Sequence, residues 1–333
     1  MTGQETVLSV RDLSVRLPRD GTDIQAVRNV SFDLRQGEML GIAGESGSGK
    51  SMTLMAILGL LPRRAHREAE SIHFAGQRID TLGPAAMRSL MATGIATIFQ
   101  DPMTCLNPVM TVGSLLEEVY LTHFGGARRV ARDRAVDMLE RVGIPEARKR
   151  LNQYPHELSG GLRQRVMIAM ALICEPKVLF ADEPTTALDV TVQKGILDLI
   201  LELRRDIGLA VVFVSHDLGV IYNACDRVAV MYGGEIVETG PVGEILSAPT
   251  HPYTAALIRC IPRIESGPRG RLSPIPGQVK VMSGDLQGCQ FRERCPIAID
   301  SCATQTPPLV KAGPDRWVRC PVRTDGTVPE LHP

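Results

Sequence analysis

The chain has 333 residues, and 44% of them are hydrophobic, which excludes a disordered chain and allows a large core. Lysine plus arginine and aspartate plus glutamate each number 37, so no overall positive field argues for nucleic-acid binding. No apolar run approaches the roughly 18 residues that can span a bilayer, and the N-terminus lacks a secretory pattern. We therefore expect a globular protein of the cytosol, where thiols stay reduced.

Strands dominate the predicted elements of the first hundred residues. Apolar and polar residues alternate over 7–17 and 26–34, which predicts two antiparallel strands. Shorter apolar runs predict further strands at 39–43, 72–79 and 95–99. This part of the chain therefore indicates an antiparallel β-subdomain next to buried strands of a core sheet.

The pattern becomes helical after about residue 112. Apolar residues recur there at helical spacing among charged ones, as in Ala131, Ala135, Leu139 and Val142. We therefore predict an α-helical subdomain inserted at about 102–175, in which the last helix covers 162–174.

Strand and helix then alternate, with elements predicted at 177–183, 190–206, 209–215, 228–232 and 235–239. This alternation predicts a mostly parallel sheet, and phosphate sites of such sheets lie at the carboxyl ends of the strands. The last two strands form a hairpin across Gly233-Gly234. Prolines become frequent near residue 250, so we predict one domain over 1–250 and a loop-rich extension over 251–333.

The most informative stretch is Gly44-Glu45-Ser46-Gly47-Ser48-Gly49-Lys50-Ser51, a G-x-x-x-x-G-K-S run between a predicted strand and a predicted helix. Its glycines let backbone N–H groups point inward, and the helix N-terminus adds a partial positive charge. Lys50 would reach the outer phosphates of a nucleoside triphosphate, and Ser51 would hold Mg²⁺. The alternative is a glycine-rich turn without a ligand, but the flanking strand and helix favour a P-loop.

Polar residues end two of the later strands. Asp182 can hold Mg²⁺ through water opposite Ser51, and Glu183 can orient or deprotonate an attacking water. His216 could donate a hydrogen bond to the terminal phosphate. The alternative for these three residues is a structural or solvent-facing role, and Gln100 taken alone is a weak candidate.

A second glycine-rich loop precedes another predicted helix, in Leu158-Ser159-Gly160-Gly161-Leu162-Arg163-Gln164-Arg165. Two glycines at the start of a helix make a second anion-binding N-terminus. Because one fold does not need two such sites for one nucleotide, we expect this loop to serve the nucleotide of a second subunit.

Six motifs in this order resemble those of the ATPase subunits of ABC transporters, and the resemblance runs through residues 7–245. They are Gly44–Ser51 (Walker A), Gln100 (Q-loop), Leu158–Gln164 (signature motif), Lys177–Glu183 (Walker B with the catalytic glutamate), Ala187-Leu188-Asp189 (D-loop) and His216 (switch histidine). The resemblance implies an α/β P-loop ATPase with the subdomains predicted above, working as a head-to-tail dimer.

The resemblance also implies roles for individual residues. ATP contacts would come from Gly44, Ser46, Gly47, Ser48, Gly49, Lys50, Ser51, Met52, Gln100 and Asp182, among which Ser51, Gln100 and Asp182 hold Mg²⁺. Glu183 and His216 would be catalytic, while Ser159, Gly160, Gly161 and Gln164 would cap the partner's nucleotide. Leu17 stands where an aromatic residue usually stacks on adenine, so the base contacts stay open.

Four further segments narrow the resemblance to the ATPases of oligopeptide, dipeptide and nickel importers. They are Gln100–Pro108, in which Cys105 replaces a more usual serine, His251-Pro252-Tyr253-Thr254 with Pro274-Ile275-Pro276-Gly277, and Gly288–Pro296. This group implies a peripheral subunit on the cytoplasmic face of the bacterial inner membrane. Its partners would be two permease subunits, which contact residues 100–121, a second and related ATPase subunit, and an external solute-binding protein.

The transported solute stays open, as does the choice between a second copy and a paralogue as the partner ATPase. The alternative class is a soluble ABC ATPase that acts on ribosomes or DNA. Such proteins usually carry two ATPase domains or a long coiled-coil insertion, and this sequence predicts neither. The neutral net charge also argues against nucleic acid as a partner.

Four of the eight cysteines crowd the C-terminal segment, at Cys289, Cys295, Cys302 and Cys320. In a reducing compartment four thiols can form a metal site, although the lack of C-x-x-C pairs argues against a common zinc site and leaves unliganded thiols as the alternative. The resemblance to peptide importers implies a [4Fe–4S] cluster here, with zinc as the alternative. We expect a structural role, because the segment has little core of its own, and keep metal sensing as the rival hypothesis.

Overall fold

The computed structural model describes residues 5–19, 22–100, 105–186, 189–261, 275–278, 283–284 and 286–323. The chain divides into two compact units, the first made of residues 1–8, 34–38 and 75–214, and the second of residues 9–33, 39–74 and 215–333. Within the described part, no helix combines the length and the apolar character needed to cross a membrane.

The N-terminal strands of the second unit form a β-subdomain with a sheet of its own. Strand β1 (Thr6–Leu17) lies between β2 (Ile24–Arg35) and β5 (Ser71–Phe74), and β4 (His66–Glu68) pairs with β1 in antiparallel register. Inward positions such as Val10, Leu13 and Val15 are fully buried and alternate with more exposed residues. This confirms the two strands predicted from alternation at 7–17 and 26–34.

The prediction of one continuous strand over 72–79 is wrong. The backbone turns at Ala75 and Gly76, which have φ angles of 48° and 79°, and this turn separates β5 from the short strand β6 (Gln77–Arg78). The elements of this region that were not predicted include β4 and helix α2 (Pro84–Leu90). Strand β4 consists of charged residues only, and α2 buries Met87 alone, so neither has an apolar pattern to detect.

The second unit also contains the strand that leads into the P-loop. Here β3 (Met39–Ala43) pairs in parallel with β10 (Arg227–Tyr232), and β10 pairs antiparallel with β11 (Glu235–Pro241) across Gly233-Gly234, which confirms the predicted hairpin. The sheet continues through β13 (Arg316–Val318) and β12 (Val310–Gly313). Strand β13 of the C-terminal segment thus pairs with β11, and the boundary at residue 250 stays a prediction.

The helices of the second unit are short. Helix α1 (Lys50–Leu58) follows the P-loop, α8 (Leu218–Ala224) follows His216, and α9 (Val242–Ser247), α10 (Pro252–Arg259) and α11 (Ser301–Thr304) come later in the chain.

The first unit combines three parallel strands with the helical subdomain. Strands β7 (Ile95–Ile98), β8 (Val178–Asp182) and β9 (Ala210–Ser215) pair in the order β9-β8-β7 and confirm the three predicted buried strands. The helices are α3 (Val112–Phe124), α4 (Arg128–Arg141), α5 (Ala147–Arg150), α6 (Gly160–Leu172) and α7 (Val190–Ile207). Ala131, Ala135, Leu139 and Val142 are all fully buried, as their helical spacing predicted.

Candidate functional site

The P-loop joins the end of β3 at Ala43 to the start of α1 at Lys50. Gly49 occupies the N-cap with φ 102° and has no side chain, so no side chain caps the first N–H groups of the helix. The first turn of α1 also contains no acidic residue. The N-terminus of this helix therefore keeps its N–H donors and partial positive charge for an anion.

Glycine is required at two positions of this loop by close packing. A Cβ on Gly44 would lie 2.3 Å from the Met231 carbonyl oxygen, and one on Gly49 would lie 2.5 Å from that of Ala26. At Gly47, by contrast, a Cβ would meet nothing within 4 Å. The loop is thus packed tightly at both ends and open in the middle, as a phosphate cradle needs to be.

Lys50 lies back across this loop. Its side chain is buried, and Nζ donates to the carbonyl oxygens of Gly44 at 2.8 Å and Glu45 at 3.0 Å. The ammonium group is therefore held by neutral carbonyls within the loop, where it can attract phosphate oxygens. Ser51, the next residue, is half-buried in the first turn of α1.

Glu183 has the most constrained geometry of the predicted catalytic residues. It follows β8 with φ 46°, a left-handed conformation that is strained for a residue with a side chain, and its N–H donates to the Val214 carbonyl at 3.0 Å. Its Oε2 accepts hydrogen bonds from Gln100 Nε2 at 3.2 Å and from Thr186 Oγ1 at 2.9 Å. Backbone and side chain are both fixed, which suits a group that must aim at one water.

The structure brings Gln100 and Glu183 together, although they are far apart in sequence. Because the amide nitrogen of Gln100 makes this bond, its carbonyl oxygen is the atom with which it would contact Mg²⁺. Asp182 is buried as the last residue of β8, and His216 is exposed directly after β9. Hydroxyl, amide and carboxylate oxygens are the ligand types that Mg²⁺ accepts, so the residues proposed for the metal fit its chemistry.

The signature loop is the N-terminus of α6. Ser159 occupies the N-cap, its Oγ accepts from the Leu162 N–H at 3.4 Å, and both Ser159 and Gly160 are exposed. Gly161 packs closely, since a Cβ there would lie 2.8 Å from Cγ1 of Val192. This helix end is therefore a solvent-facing surface, held by the contact of Gly161 with α7.

Gln164 and Asp189 both make contacts inside the first unit. Gln164 is 1% exposed, and its Nε2 donates to the Pro184 carbonyl at 2.5 Å, which ties the signature helix to the turn after Glu183. Asp189 caps α7, and its Oδ1 accepts from the Val192 N–H at 2.9 Å. The other D-loop residues, Ala187 and Leu188, and residues 101–104 of the segment after the Q-loop lie outside the described residues. Leu17 is half-buried at the end of β1.

The four C-terminal cysteines lie close to one another. The Cys289 N–H donates to the Cys302 carbonyl at 2.8 Å. Burial raises the pKa of the Cys289 thiol to about 11, and the charges of Cys302, Cys295 and Cys320 act in the same direction. Within the described ranges, however, no three His, Cys, Asp or Glu side chains are arranged as a metal site. None of the eight cysteines, all of which are described, forms a disulfide.

Sequence reasoning missed several residues that contact the site. Thr186 holds Glu183, and Arg294 and Tyr253 both contact Glu45 of the P-loop. Thr186 was detectable as a hydroxyl three residues after Glu183 in a turn. Glu45 itself was a signal, because a carboxylate within an anion-binding loop calls for a compensating cation, but the sequence does not say which one.

Comparison with known proteins agrees with this geometry. A family model described as ABC transporter matches residues 27–186, and one described as the C-terminal region of oligopeptide/dipeptide transporters matches residues 237–302. The chain is 44% identical to the dipeptide transport ATP-binding protein DppD of Escherichia coli, over 94% of this chain and 96% of DppD. It is 47% identical to the oligopeptide transport ATP-binding protein OppD of Salmonella typhimurium, over 94% of this chain and 93% of OppD.

Two solved structures of the ABC transporter cassette MJ0796 are also similar. Both are dimeric, and one is a post-hydrolysis state bound to ADP and Pi. Each aligns with a TM-score of 0.63 and 28% identity, over 71% of this chain and 98% of the cassette. With its P-loop, its fixed glutamate and these matches over nearly its whole length, the chain belongs to the ATPase subunits of ABC transporters, in the oligopeptide/dipeptide group.

Proposed function

We propose that this chain hydrolyses ATP to power a peptide importer, from the cytoplasmic face of the bacterial inner membrane. The observation that carries this proposal is the carboxylate of Glu183, fixed by Gln100 and Thr186 in a chain that also has a complete P-loop. The C-terminal match to peptide transporters and the names of DppD and OppD support peptides as the solute. That match also argues against a soluble ABC ATPase that acts on ribosomes or DNA.

Each residue has one task in the proposed hydrolysis. Lys50 and the N–H groups of the P-loop, including those near Met52, would bind the phosphates, while Ser51, Asp182 and Gln100 would hold Mg²⁺. Glu183 accepts a proton as the water oxygen bonds to the γ-phosphorus, and the bond to the β–γ bridging oxygen breaks to release ADP. His216 donates a hydrogen bond to the γ-phosphate.

We further propose that the signature loop completes the ATP site of a neighbouring ATPase subunit. Ser159 and Gly160 are exposed at the start of a 13-residue helix, as a contact to a partner requires. Gln164 would act indirectly, because it is buried and ties this helix to Pro184. The dimeric state of the MJ0796 cassettes supports the same arrangement. The identity of the neighbour, whether a second copy or a paralogue, is separate from this proposal.

The permease is proposed to dock in a groove of the first unit. This groove of about 440 Å³ is lined mainly by apolar side chains, among them Phe99, Leu106, Val119, Met167 and Met170, with Glu118 and His123 as polar groups. Phe99, which precedes Gln100 in the chain, lines the groove, so an occupant would contact the residue next to one that holds Glu183. An apolar groove of this size suits an amphipathic helix from a permease loop.

For the four cysteines we propose a [4Fe–4S] cluster, with zinc as the alternative. The crowding of Cys289, Cys295, Cys302 and Cys320 in the C-terminal segment of the sequence supports a common ligand, and thiolates are the donors that both metals prefer. Iron and acid-labile sulfide analysis of anaerobically purified protein decides between them. Four iron and four sulfide per chain support the cluster, one zinc supports the alternative, and no metal contradicts both.

The test of the proposed function is assembly with the permease. After mild detergent extraction, the chain should co-purify with two membrane subunits, and peptide with its binding protein should stimulate ATP hydrolysis in proteoliposomes. Val119→Asp should weaken co-purification, because it places a charge in the apolar groove. Val130→Asp is the matched control, since Val130 is 50% exposed on α4. Equal co-purification of both variants would contradict the docking site, and the absence of any membrane subunit would contradict the importer.

A further inference from the structure

Glu45 places a carboxylate within the loop that is proposed to bind an anion. It follows Gly44 directly, and its carbonyl oxygen accepts a hydrogen bond from Lys50 at 3.0 Å. A carboxylate at this position carries the same sign of charge as the triphosphate that the loop is proposed to bind. At short range in a partly buried site such repulsion is only weakly screened, so the charge must be compensated for ATP to bind well.

Arg294, 249 residues along the chain, supplies the compensating charge. Its Nη1 lies 2.8 Å from Glu45 Oε2, and its Nη2 lies 3.1 Å from Oε1. The arginine side chain is 5% exposed and that of Glu45 is 28% exposed. A two-point contact of this kind fixes both the charge and the direction of the carboxylate.

Arg294 is itself held rigidly. Its Nε donates to the Pro276 carbonyl at 2.8 Å, and the guanidinium lies over the rings of Tyr232 and Phe291, at 5.7 Å and 5.9 Å from their centroids. A second contact to the loop comes from Tyr253, whose Oη accepts the Glu45 N–H at 2.9 Å. Side chain and backbone of Glu45 are therefore both fixed by the C-terminal segment.

The backbone that positions Arg294 also contains Cys295 and is bonded to Cys289. Arg294 ends a short 3-10 turn (Arg292–Arg294), and the next residue is Cys295, whose N–H donates to the Arg292 carbonyl at 3.3 Å. Arg292 in turn donates from Nη1 to the carbonyl oxygens of Gln287 and Cys289. A change in the packing or ligation of the cysteines would therefore move the residue that neutralises Glu45.

We propose that Arg294 is a positioning residue for ATP binding, which neutralises and orients Glu45. It thereby makes the nucleotide affinity of the P-loop depend on residues 288–302, which contain three of the four C-terminal cysteines. This inference rests on the proposed ATP site and not on the identity of any metal. By linkage, nucleotide bound to the P-loop stabilises the segment from 288 to 302 to the same extent.

A charge-rescue cycle in the full chain tests the proposal. The dissociation constant of a non-hydrolysable ATP analogue with Mg²⁺ is measured by calorimetry, and Arg294→Met should raise it about tenfold. Arg294→Lys should fall between wild type and Arg294→Met, because it keeps the charge and loses the two-point contact. Glu45→Gln combined with Arg294→Met should return to within about threefold of wild type, since no carboxylate is left to compensate.

The affinity of the Glu45→Gln, Arg294→Met double variant separates a charge-compensating role of Arg294 from a merely structural role. If Arg294 only held the C-terminal segment in place, Glu45→Gln would not restore affinity, and that result would overturn the proposal. Wild-type affinity in Arg294→Met would overturn it too. Arg134→Met is the control, because it breaks an arginine–glutamate pair in the helical subdomain whose side chains are 43% and 51% exposed. A wild-type chain that binds no nucleotide would instead contradict the proposed function.

Hydrogen–deuterium exchange gives a readout that is independent of activity. The nucleotide analogue should slow exchange of residues 288–302 in the wild type and in Arg134→Met, but not in Arg294→Met at saturating nucleotide. Protection that persists in Arg294→Met would show that the coupling bypasses Arg294 and would overturn the proposal. Thermal unfolding of each variant is recorded alongside, and the doubly substituted chain reports on the charge even where Arg294→Met alone is destabilised.

Discussion

Glycine lies directly before helix α1 and in the first two positions of helix α6, and these two helix N-termini solve the same electrostatic problem in different ways. At α1 the N-cap is Gly49, no side chain caps the helix, and buried Lys50 adds a positive charge. At α6 the N-cap is Ser159, its own hydroxyl occupies an N–H group, and the loop is exposed. Both present a positive helix end, but only α1 sits behind a complete phosphate cradle.

This difference indicates a division of labour. The first N-terminus is combined with a P-loop and a buried lysine, whereas Ser159 and Gly160 at the second are exposed and have no lysine beside them in the chain. A chain with one complete and one incomplete site is suited to work with a neighbour. Single substitutions can break the two sites separately or compare them directly.

The largest effect is expected from Glu183→Gln, which should lower the rate of ATP hydrolysis without preventing ATP binding. The amide cannot accept a proton, so turnover should fall by about 100-fold or more while ATP still binds. Steady-state ATPase rates and nucleotide binding are measured on the same preparation. Glu202→Gln, an exposed carboxylate on α7, is the control. An unchanged rate for Glu183→Gln would remove Glu183 from the mechanism.

Lys50→Ala should empty the first site. Loss of a charge-assisted contact to phosphate costs about 2 kcal/mol, which corresponds to an affinity for ATP about 30-fold weaker. Calorimetric titration with Mg²⁺ and an ATP analogue measures this change. Lys194→Ala removes an exposed lysine from α7 and should bind like wild type. Equal binding by both variants would contradict the phosphate cradle.

Thr186→Val should have a smaller effect on turnover. It keeps the shape of the side chain and removes the hydroxyl that donates to Glu183 at 2.9 Å, so the carboxylate is less well aimed. We expect a rate about tenfold lower, in line with one lost hydrogen bond. Thr93→Val, which removes an exposed hydroxyl bonded to the Ser89 carbonyl, should leave the rate unchanged. No difference between the two variants would mean that Thr186 does not position Glu183.

The last comparison takes the two N-caps as structural elements, and the smallest effect of all is expected from Ser159→Ala. Ser159→Ala removes one cap and should lower the free energy of unfolding by about 1 kcal/mol. Gly49→Ala should cost more, about 2 kcal/mol or above, because φ is 102° and the new Cβ would meet the Ala26 carbonyl at 2.5 Å. Chemical denaturation measures both. The reverse order would mean that the P-loop backbone is not constrained as described.

The sequence predicted the P-loop, the three buried strands and the helical subdomain, because each has a strong local pattern. An apolar strand precedes Gly44–Ser51, and another leads to Glu183. The polar residues at the ends of these strands are of types that phosphate binding and hydrolysis require. The failures have local causes as well, since the turn at Ala75-Gly76 interrupts an otherwise strand-like run and α2 has no apolar face.

The contacts that the sequence could not give are those between distant residues. The pair of Glu45 and Arg294 spans 249 positions, and no local pattern links one to the other. In the same way, Gln164 belongs to a motif that suggests a partner contact, yet its burial against Pro184 becomes visible only in the fold. Local chemistry identified the candidate residues, and tertiary packing determined which of them touch.

The most direct test asks whose nucleotide the signature loop contacts. A tagged Lys50→Ala chain is assembled in the transporter with an unmodified neighbouring ATPase subunit, and an ATP analogue with a photoreactive group on its γ-phosphate is bound and activated. We expect labelling of residues 158–164 in the tagged chain, although its own P-loop is empty. Labelling of the signature loop only in subunits whose own P-loop lysine is intact would contradict it.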